Sequence, residues 1–201
     1  MSSRGVPDGI VVQARTLGRV PSPPGHGAFK VTVMSVSMWR EVRWLDHTGS
    51  TNSDVAEEAR RGGAEGLAVA TLEQRAGRGR MDRTWVAPPG TSLAFSMLLE
   101  PRPELPQWGW LSLLAGMAVH AAVEGLATEP GRVQLKWPND VLIDGRKVCG
   151  ILSERVEHQD GARAVIGIGI NVSIGEDQLP VPTATSLRIA GLREDPRELL
   201  E

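Results

Sequence analysis

VLIDGRKVCGIL, residues 141–152, sets two apolar runs on either side of Asp144-Gly145. Asp-Gly between such runs predicts a two-residue type I′ hairpin turn, because that turn needs positive φ at both central positions. The stretch therefore reads as two antiparallel strands. Downstream, ARAVIGIGINV (162–172) reads as a central strand whose glycines mark a close approach to the backbone. Upstream, RVQLKW (132–137), TSLAFSMLLE (91–100), GLAVATLEQ (66–74) and EVRWLDHT (41–48) read as further strands.

Two segments interrupt the strands with a helical period. STNSDVAEEARRGG (50–63) starts at Thr51 or Asn52 as cap, with Thr51 and Asp54 at capping-box spacing, and stops at Gly62-Gly63. PQWGWLSLLAGMAVHAAVEGL (106–126) puts Trp108, Leu111, Ala115, Ala118 and Ala122 on one stripe. Its other face is apolar too, which predicts a largely buried helix. Hairpin strands mixed with helix-linked strands predict an α+β domain: a mixed β-sheet with helices packed on one face. The expected organisation is an irregular or disordered N-terminal arm over 1–38, rich in Pro and Gly, and one domain over 39–201. IGEDQLPVPTATSL (174–187) is a Pro-broken loop, and DPRELLE (195–201) resembles the first turn of a helix.

The chain has 201 residues, a formal net charge of −2 and a 41% hydrophobic share. No apolar run is long enough to span a bilayer, and no secretory leader precedes the domain. A lone cysteine, Cys149, excludes an internal disulfide framework, and no Cys/His cluster points to zinc. The near-neutral charge argues against gripping duplex DNA. A cytoplasmic protein with neither a DNA nor a membrane partner is expected.

Against that neutral background, QRAGRGRMDRTW (74–85) concentrates Arg75, Arg78, Arg80 and Arg83 around Gly77 and Gly79. Glycines between arginines allow consecutive backbone N–H groups to form an anion-binding nest, with guanidinium groups adding charge. A solvated basic loop and a nucleic-acid contact are the alternatives. LKWPNDVL (135–142) displays Lys136, Asn139 and Asp140 together. That segment is either turn chemistry or a site for nucleotide phosphate and Mg²⁺, for which one carboxylate suffices. Lys147 is either on a wet face or aimed at an anion, and strand alternation puts it on one face with Cys149. Cys149 reads as a small core residue. Gly167 and Gly169 either pack under a helix or let a flat ligand lie on the strand. Asn171 either caps a loop or bonds a ribose or phosphate. His26, His47, His120 and His158 lack ligand spacing, and His120 reads as a satisfied buried histidine.

Taken together and in order, GSTN, QRAGRGRMDRTW, KWPNDV, KVCGILSE and GIGINV resemble the successive signatures of biotin protein ligases, from about Trp44 to Leu187. The resemblance implies the class II aminoacyl-tRNA synthetase/biotin ligase-like fold. It implies that biotin and MgATP give biotinyl-5′-AMP, and that a lysine of biotin carboxyl carrier protein, part of acetyl-CoA or acyl-CoA carboxylase, then takes the biotin. By that resemblance Ser50, Thr51, Asn52 and Gln74 line the biotin head-group pocket. Arg78, Gly79 and Arg80 contact biotin and the adenylate, Arg83 and Trp85 fold over the intermediate, and Lys147 meets the biotin carboxylate. Gly150 and Gly167 floor the pocket. Lys136, Asn139 and Asp140 serve ATP, Mg²⁺ and the acceptor lysine, and Asn171 the nucleotide. Lys147, Arg80, Asp140 and Lys136 are the expected catalytic set, and Asp140 the metal ligand. A monomer or weak homodimer is expected.

Three departures accompany the resemblance. Asp82 stands where the family commonly has glycine, a position from which it can partly neutralise Arg80 or Arg83. No helix-turn-helix is recognisable before Trp39, so repressor activity is not expected. The small SH3-like domain typical of the family is expected to be absent after the catalytic motifs. A lipoate or octanoate ligase, a non-catalytic biotin-binding protein and an RNA-contacting module are the competing readings. Ser-Thr-Asn and Gln74 favour a polar ureido ring over an acyl chain.

Overall fold

A computed structural model describes residues 39–200; the N-terminal arm expected over 1–38 lies outside the described residues. The order of elements is β1 (Glu41–Leu45), α1 (Thr51–Arg60), β2 (Leu67–Thr71), β3 (Gly77–Arg78), β4 (Thr84–Trp85), β5 (Ser92–Leu99), α2 (Leu111–Glu124), β6 (Val133–Lys136), β7 (Asp140–Ile143), β8 (Arg146–Val156) and β9 (Arg163–Asn171). Short 3₁₀ turns cover Leu105–Trp110, Glu176–Gln178 and Glu198–Leu200. Seven strands form one mixed sheet in the order β1-β2-β5-β9-β8-β7-β6, and β3 pairs with β4 separately. β1 and β2 are parallel, because α1 carries the chain back between them. The other neighbours are antiparallel.

The helices divide between the two faces instead of sharing one. Side chains alternate along a strand, so the parity of the buried residues shows which face each helix covers. α1 clusters through Val55, Ala56 and Ala59 with Leu67, Val69, Leu98 and Val165. The other cluster joins Val119 and Val123 of α2 to Ala68, Ala70, Phe95, Met97, Ile166 and Ile168. With cover on both sides, β5 is buried from Ser92 to Leu98. Its continuous apolar run follows from that position.

α1 begins one residue earlier than the capping signals imply. Ser50 is its N-cap, without a side-chain cap, and Thr51 is the first helical residue. The Thr51–Asp54 capping box does not form; Asp54 accepts instead from the Thr48 hydroxyl at 2.7 Å. The helix ends as expected. Gly62 has φ +81°, its N–H donates to Ala59 O, and the Gly63 N–H donates to Glu58 O. These are the two bonds of a Schellman cap, and the left-handed residue between them is where glycine is unstrained.

α2 is not buried all round. Gly116, Val119 and Val123 form its inner line, while Ala118, expected on the inner stripe, is exposed. Trp110, Leu114 and Met117 stand outward at 63%, 58% and 53% exposure. Gly116 turns the helix inward. A Cβ there would sit 3.3 Å from Leu135 and 3.5 Å from Ile151, so β6 and β8 approach that turn closely. His120 is satisfied by the Val133 carbonyl at 3.1 Å. No described helix is long and apolar enough to cross a membrane.

Candidate active site

Asp144 (φ +50°) and Gly145 (φ +78°) make the expected hairpin turn between β7 and β8. Two residues later the ladder slips. Leu142 pairs with Lys147 and Val141 with Cys149, which leaves Val148 as an extra residue in β8. This bulge reverses the parity of the strand. Val148 and Cys149 are consecutive and both fully buried. Lys147 therefore does not share a face with Cys149, as simple alternation implies. It lies with Gly150, whose hypothetical Cβ would be 3.1 Å from the Lys147 ammonium. Cys149 faces the core, and burial pushes its thiol pKa far up, so it is no nucleophile.

The Lys147 backbone is clamped by the Pro-broken loop. Its N–H donates to Thr183 O, and its carbonyl accepts from the Thr185 N–H, both at 2.8 Å. Asn171 ties down the same loop by donating to Thr185 O at 2.9 Å. The Lys147 ammonium meets Asp140 at 2.6 Å and stands 5.9 Å from the Trp85 ring centre. Asp140 opens β7, opposite Lys136, whose side chain is exposed. Among the described residues no three acids, histidines or cysteines cluster to hold a metal. Asp140 alone fits a Mg²⁺ that arrives on a nucleotide, not a cage built by protein.

Gly150, Gly167 and Gly169 lie on the α1 face, and each is covered by a side chain. A Cβ on Gly169 would fall 2.7 Å from the Trp85 ring, and one on Gly150 would fall 3.0 Å from it. The flat group against this part of the floor is thus Trp85 itself. Among the described residues its buried indole N–H has no partner, an uncompensated donor of the kind that costs about 1–3 kcal/mol. Behind it, between Gln74, Ser92 and Ala94, only about 10 Å³ remains. A Cβ on Gly167 would lie 1.8 Å from Asn52 Oδ1, so glycine is obligatory beneath Asn52.

The arginine segment is a small hairpin: Gly77 pairs with Trp85 and Arg78 with Thr84. Its glycines act through closeness. A Cβ on Gly77 would be 2.6 Å from Trp85 O. The Gly79 N–H is used within the hairpin, donating to Arg83 O at 2.7 Å, so the expected nest of free N–H groups does not form around it. The left-handed residues are instead Met81 (φ +56°) and Asp82 (φ +58°) at the tip. Asp82 forms no ion pair with Arg80 or Arg83 among the described residues. Arg83 is exposed. Arg80 donates to Asn139 Oδ1 at 3.0 Å, and Asn139 Nδ2 donates to Ile151 O at 2.7 Å. The hairpin tip is thereby tied to the β6–β7 turn. A cavity of about 620 Å³ lies between this hairpin and Leu152 and Glu154 of β8.

Before the hairpin, Gln74 Oε1 accepts the Thr51 N–H at 2.9 Å. Ser96 Oγ donates to Asn52 Oδ1 at 2.6 Å and lies 2.7 Å from the Thr51 hydroxyl. Ser50, Thr51, Asn52 and Ser96 are all buried. Two of these participants are absent from the sequence expectations: Ser96 and Glu154. A hydroxyl inside the apolar run SLAFSMLL was a usable signal for the first. Glu154 has the same parity as Gly150 and Leu152 beyond the bulge, which the sequence does not reveal.

The model of the biotin/lipoate A/B protein ligase family matches residues 44–171. A biotin–[acetyl-CoA-carboxylase] ligase of Mycobacterium tuberculosis is 39% identical over 159 residues, 78% of this chain and 58% of that protein. A bifunctional ligase/repressor BirA of Bacillus spizizenii is 39% identical over 145 residues, 71% of this chain and 44% of that protein. The chain thus spans about half the length of these relatives. Among solved structures, the biotin protein ligase of Aquifex aeolicus in complex with biotin and ATP matches at 34% identity with a TM-score of 0.65. That match covers 81% of this chain and 66% of the other. These matches span both the sheet and the motifs that line it, and the chain belongs to the biotin/lipoate A/B protein ligase family.

Proposed function

We propose that the chain is the catalytic domain of a biotin ligase, which joins biotin to the α-phosphate of ATP and passes the biotinyl group to a carrier-protein lysine. The observation that carries this reading is the gathering of cations from separate elements on one glycine-floored face. Lys147 comes from β8, and Arg78 and Arg80 from the hairpin. Relatives named as biotin–[acetyl-CoA-carboxylase] ligases, and a structural neighbour holding biotin and ATP, support it.

The chemistry sets the need. A carboxylate must approach a phosphate, and negative charge builds on the oxygens as they join. Fixed cations offset that charge without reorganising during the reaction. Lys147, turning from Asp140, receives the biotin carboxylate. Thr51 and Gln74 serve the ureido end. Arg80, held by Asn139, faces the nucleotide, which Lys136 and Asn171 are proposed to serve as well. Asp140 would hold the Mg²⁺ that accompanies ATP, and that ion supplies charge neutralisation at the phosphates. Trp85 and Arg83 close over the adenylate, a mixed anhydride that water destroys. The acceptor amine of a biotin carboxyl carrier domain then attacks its carbonyl, and AMP leaves. The cytoplasm is the proposed location.

Pyrophosphate release with biotin and MgATP, followed by label transfer to a carrier domain, tests the proposal. Biotin-dependent release is expected, with octanoate and lipoate inactive. Release that does not depend on biotin would overturn it.

A further inference from the structure

We infer that Glu154 is a positioning residue that fixes the polar end of the pocket by holding Arg78 and Asn52 at once. Glu154 Oε2 is 2.6 Å from an Arg78 guanidinium nitrogen and 2.7 Å from Asn52 Nδ2. Asn52 Nδ2 also donates to Leu152 O at 3.3 Å. Both of its N–H donors are therefore used, and its oxygen accepts from Ser96 at 2.6 Å. Asn52 thus has no donor left for a ligand. It is a buried wall pressed onto Gly167 and offers a ligand no amide N–H.

The consequence is a continuous line of contacts across four elements. It runs from Arg78 on β3 through Glu154 on β8 and Asn52 on α1 to Ser96 on β5, and returns to Thr51 beside Gln74. Gln74 Oε1 is occupied by the Thr51 N–H, and its Nε2 lies beside Gly77. Glu154 joins the rigid half of this line to the hairpin. Its charge holds the first strand of the hairpin over β8 while the tip, at Met81 and Asp82, stays exposed. The Glu154 and Arg78 side chains are 27% and 43% exposed. A pair so wetted adds little to global stability, so its removal separates pocket geometry from folding.

The biotin arm of the test rests on the ligase reading; the proteolysis arm does not. Glu154→Gln keeps an oxygen for the Asn52 amide but loses the charge on Arg78. In ligand-free protein, trypsin is expected to cleave after Arg78, Arg80 and Arg83 several-fold faster in Glu154→Gln than in wild type, with an unchanged thermal midpoint. Cleavage at the wild-type rate would overturn the positioning role, whatever the ligand. The biotin dissociation constant is expected to rise about tenfold while KM for ATP stays constant. In a cycle with Arg78→Gln, the double variant is expected to be no weaker than the worse single one. Unchanged biotin affinity, or additive losses, would also overturn it. Wild-type protein that binds no biotin would count against the ligase reading, and the cleavage rates alone would then decide the role of Glu154.

Discussion

Lys147 Nζ rests 2.6 Å from Asp140 Oδ1, so the ammonium proposed to receive the substrate carboxylate is already paired with an acid of its own protein. Binding an anion at Lys147 is an exchange of carboxylates. Asp140, only 18% exposed, needs a new cation when Lys147 turns away, a need that the Mg²⁺ of the proposed reaction would meet. Lys147→Ala is expected to slow pyrophosphate release about 10²–10³-fold. Asp140→Asn frees the ammonium, so it is expected to bind biotin at least as tightly as wild type yet to lose adenylation. Calorimetry with biotin, beside a pyrophosphate assay, separates the two effects.

Gly167→Ala places a methyl group 1.8 Å from Asn52 Oδ1, so Asn52 must move and give up hydrogen bonds to Leu152, Glu154 and Ser96. A loss of about 1–3 kcal/mol in unfolding stability is expected, together with weaker biotin binding. Gly109→Ala meets open space and serves as the control, with neither quantity changed.

Asp82 holds φ +58° at the hairpin tip. A left-handed residue with a Cβ costs about 1–2 kcal/mol. Glycine there forfeits about 0.5–1 kcal/mol of chain entropy instead. The first figure is the larger, so Asp82→Gly is expected to firm the hairpin. Hydrogen exchange at the Gly79 N–H, which bonds Arg83 O, should slow a few-fold. The same rate as wild type would show that the tip carries no strain.

Cys149 gives a pH signature. Burial raises its pKa above the ordinary 9.0, so the folded state keeps a proton that the unfolded chain releases. Above pH 9.0 the unfolded state therefore binds fewer protons, and stability falls as pH rises. Below that value the contribution is fully present. Denaturant melts between pH 8 and pH 10.5 should show a decline of at most about 1.4 kcal/mol per pH unit from this group, absent in Cys149→Ala. Native protein should also resist thiol reagents that react with it once unfolded.

How much could be read in advance depended on whether the deciding contact was local. The Asp144-Gly145 turn, the Gly62-Gly63 stop and the strand character of β5 and β9 all follow from conformational preferences of neighbouring residues. What failed needed distant information. The Val148 bulge is set by pairing with β7, and it alone moves Lys147 away from the face of Cys149. The division of α1 and α2 between faces needs the sheet order. The exposed side of α2 is as apolar as its buried side, so periodicity could not choose between them. In the site, side-chain contacts join Arg78 to Glu154, Arg80 to Asn139 and Lys147 to Asp140. The close contacts of Gly77 with Trp85, of Gly79 with Arg83 and of Asn52 with Glu154 depend on chain pairing that no local preference reveals.

Trp85 carries a thermodynamic consequence. Its ring already shields the backbone at Gly150 and Gly169 from water, so a guest that takes over this surface replaces one dry cover with another. Calorimetric titration across several temperatures should then give a heat-capacity change smaller than the guest's own oily area implies. The freed indole, whose N–H has no partner among the described residues, gains hydration or a new acceptor as it leaves. Association should accordingly draw more on enthalpy than on water release.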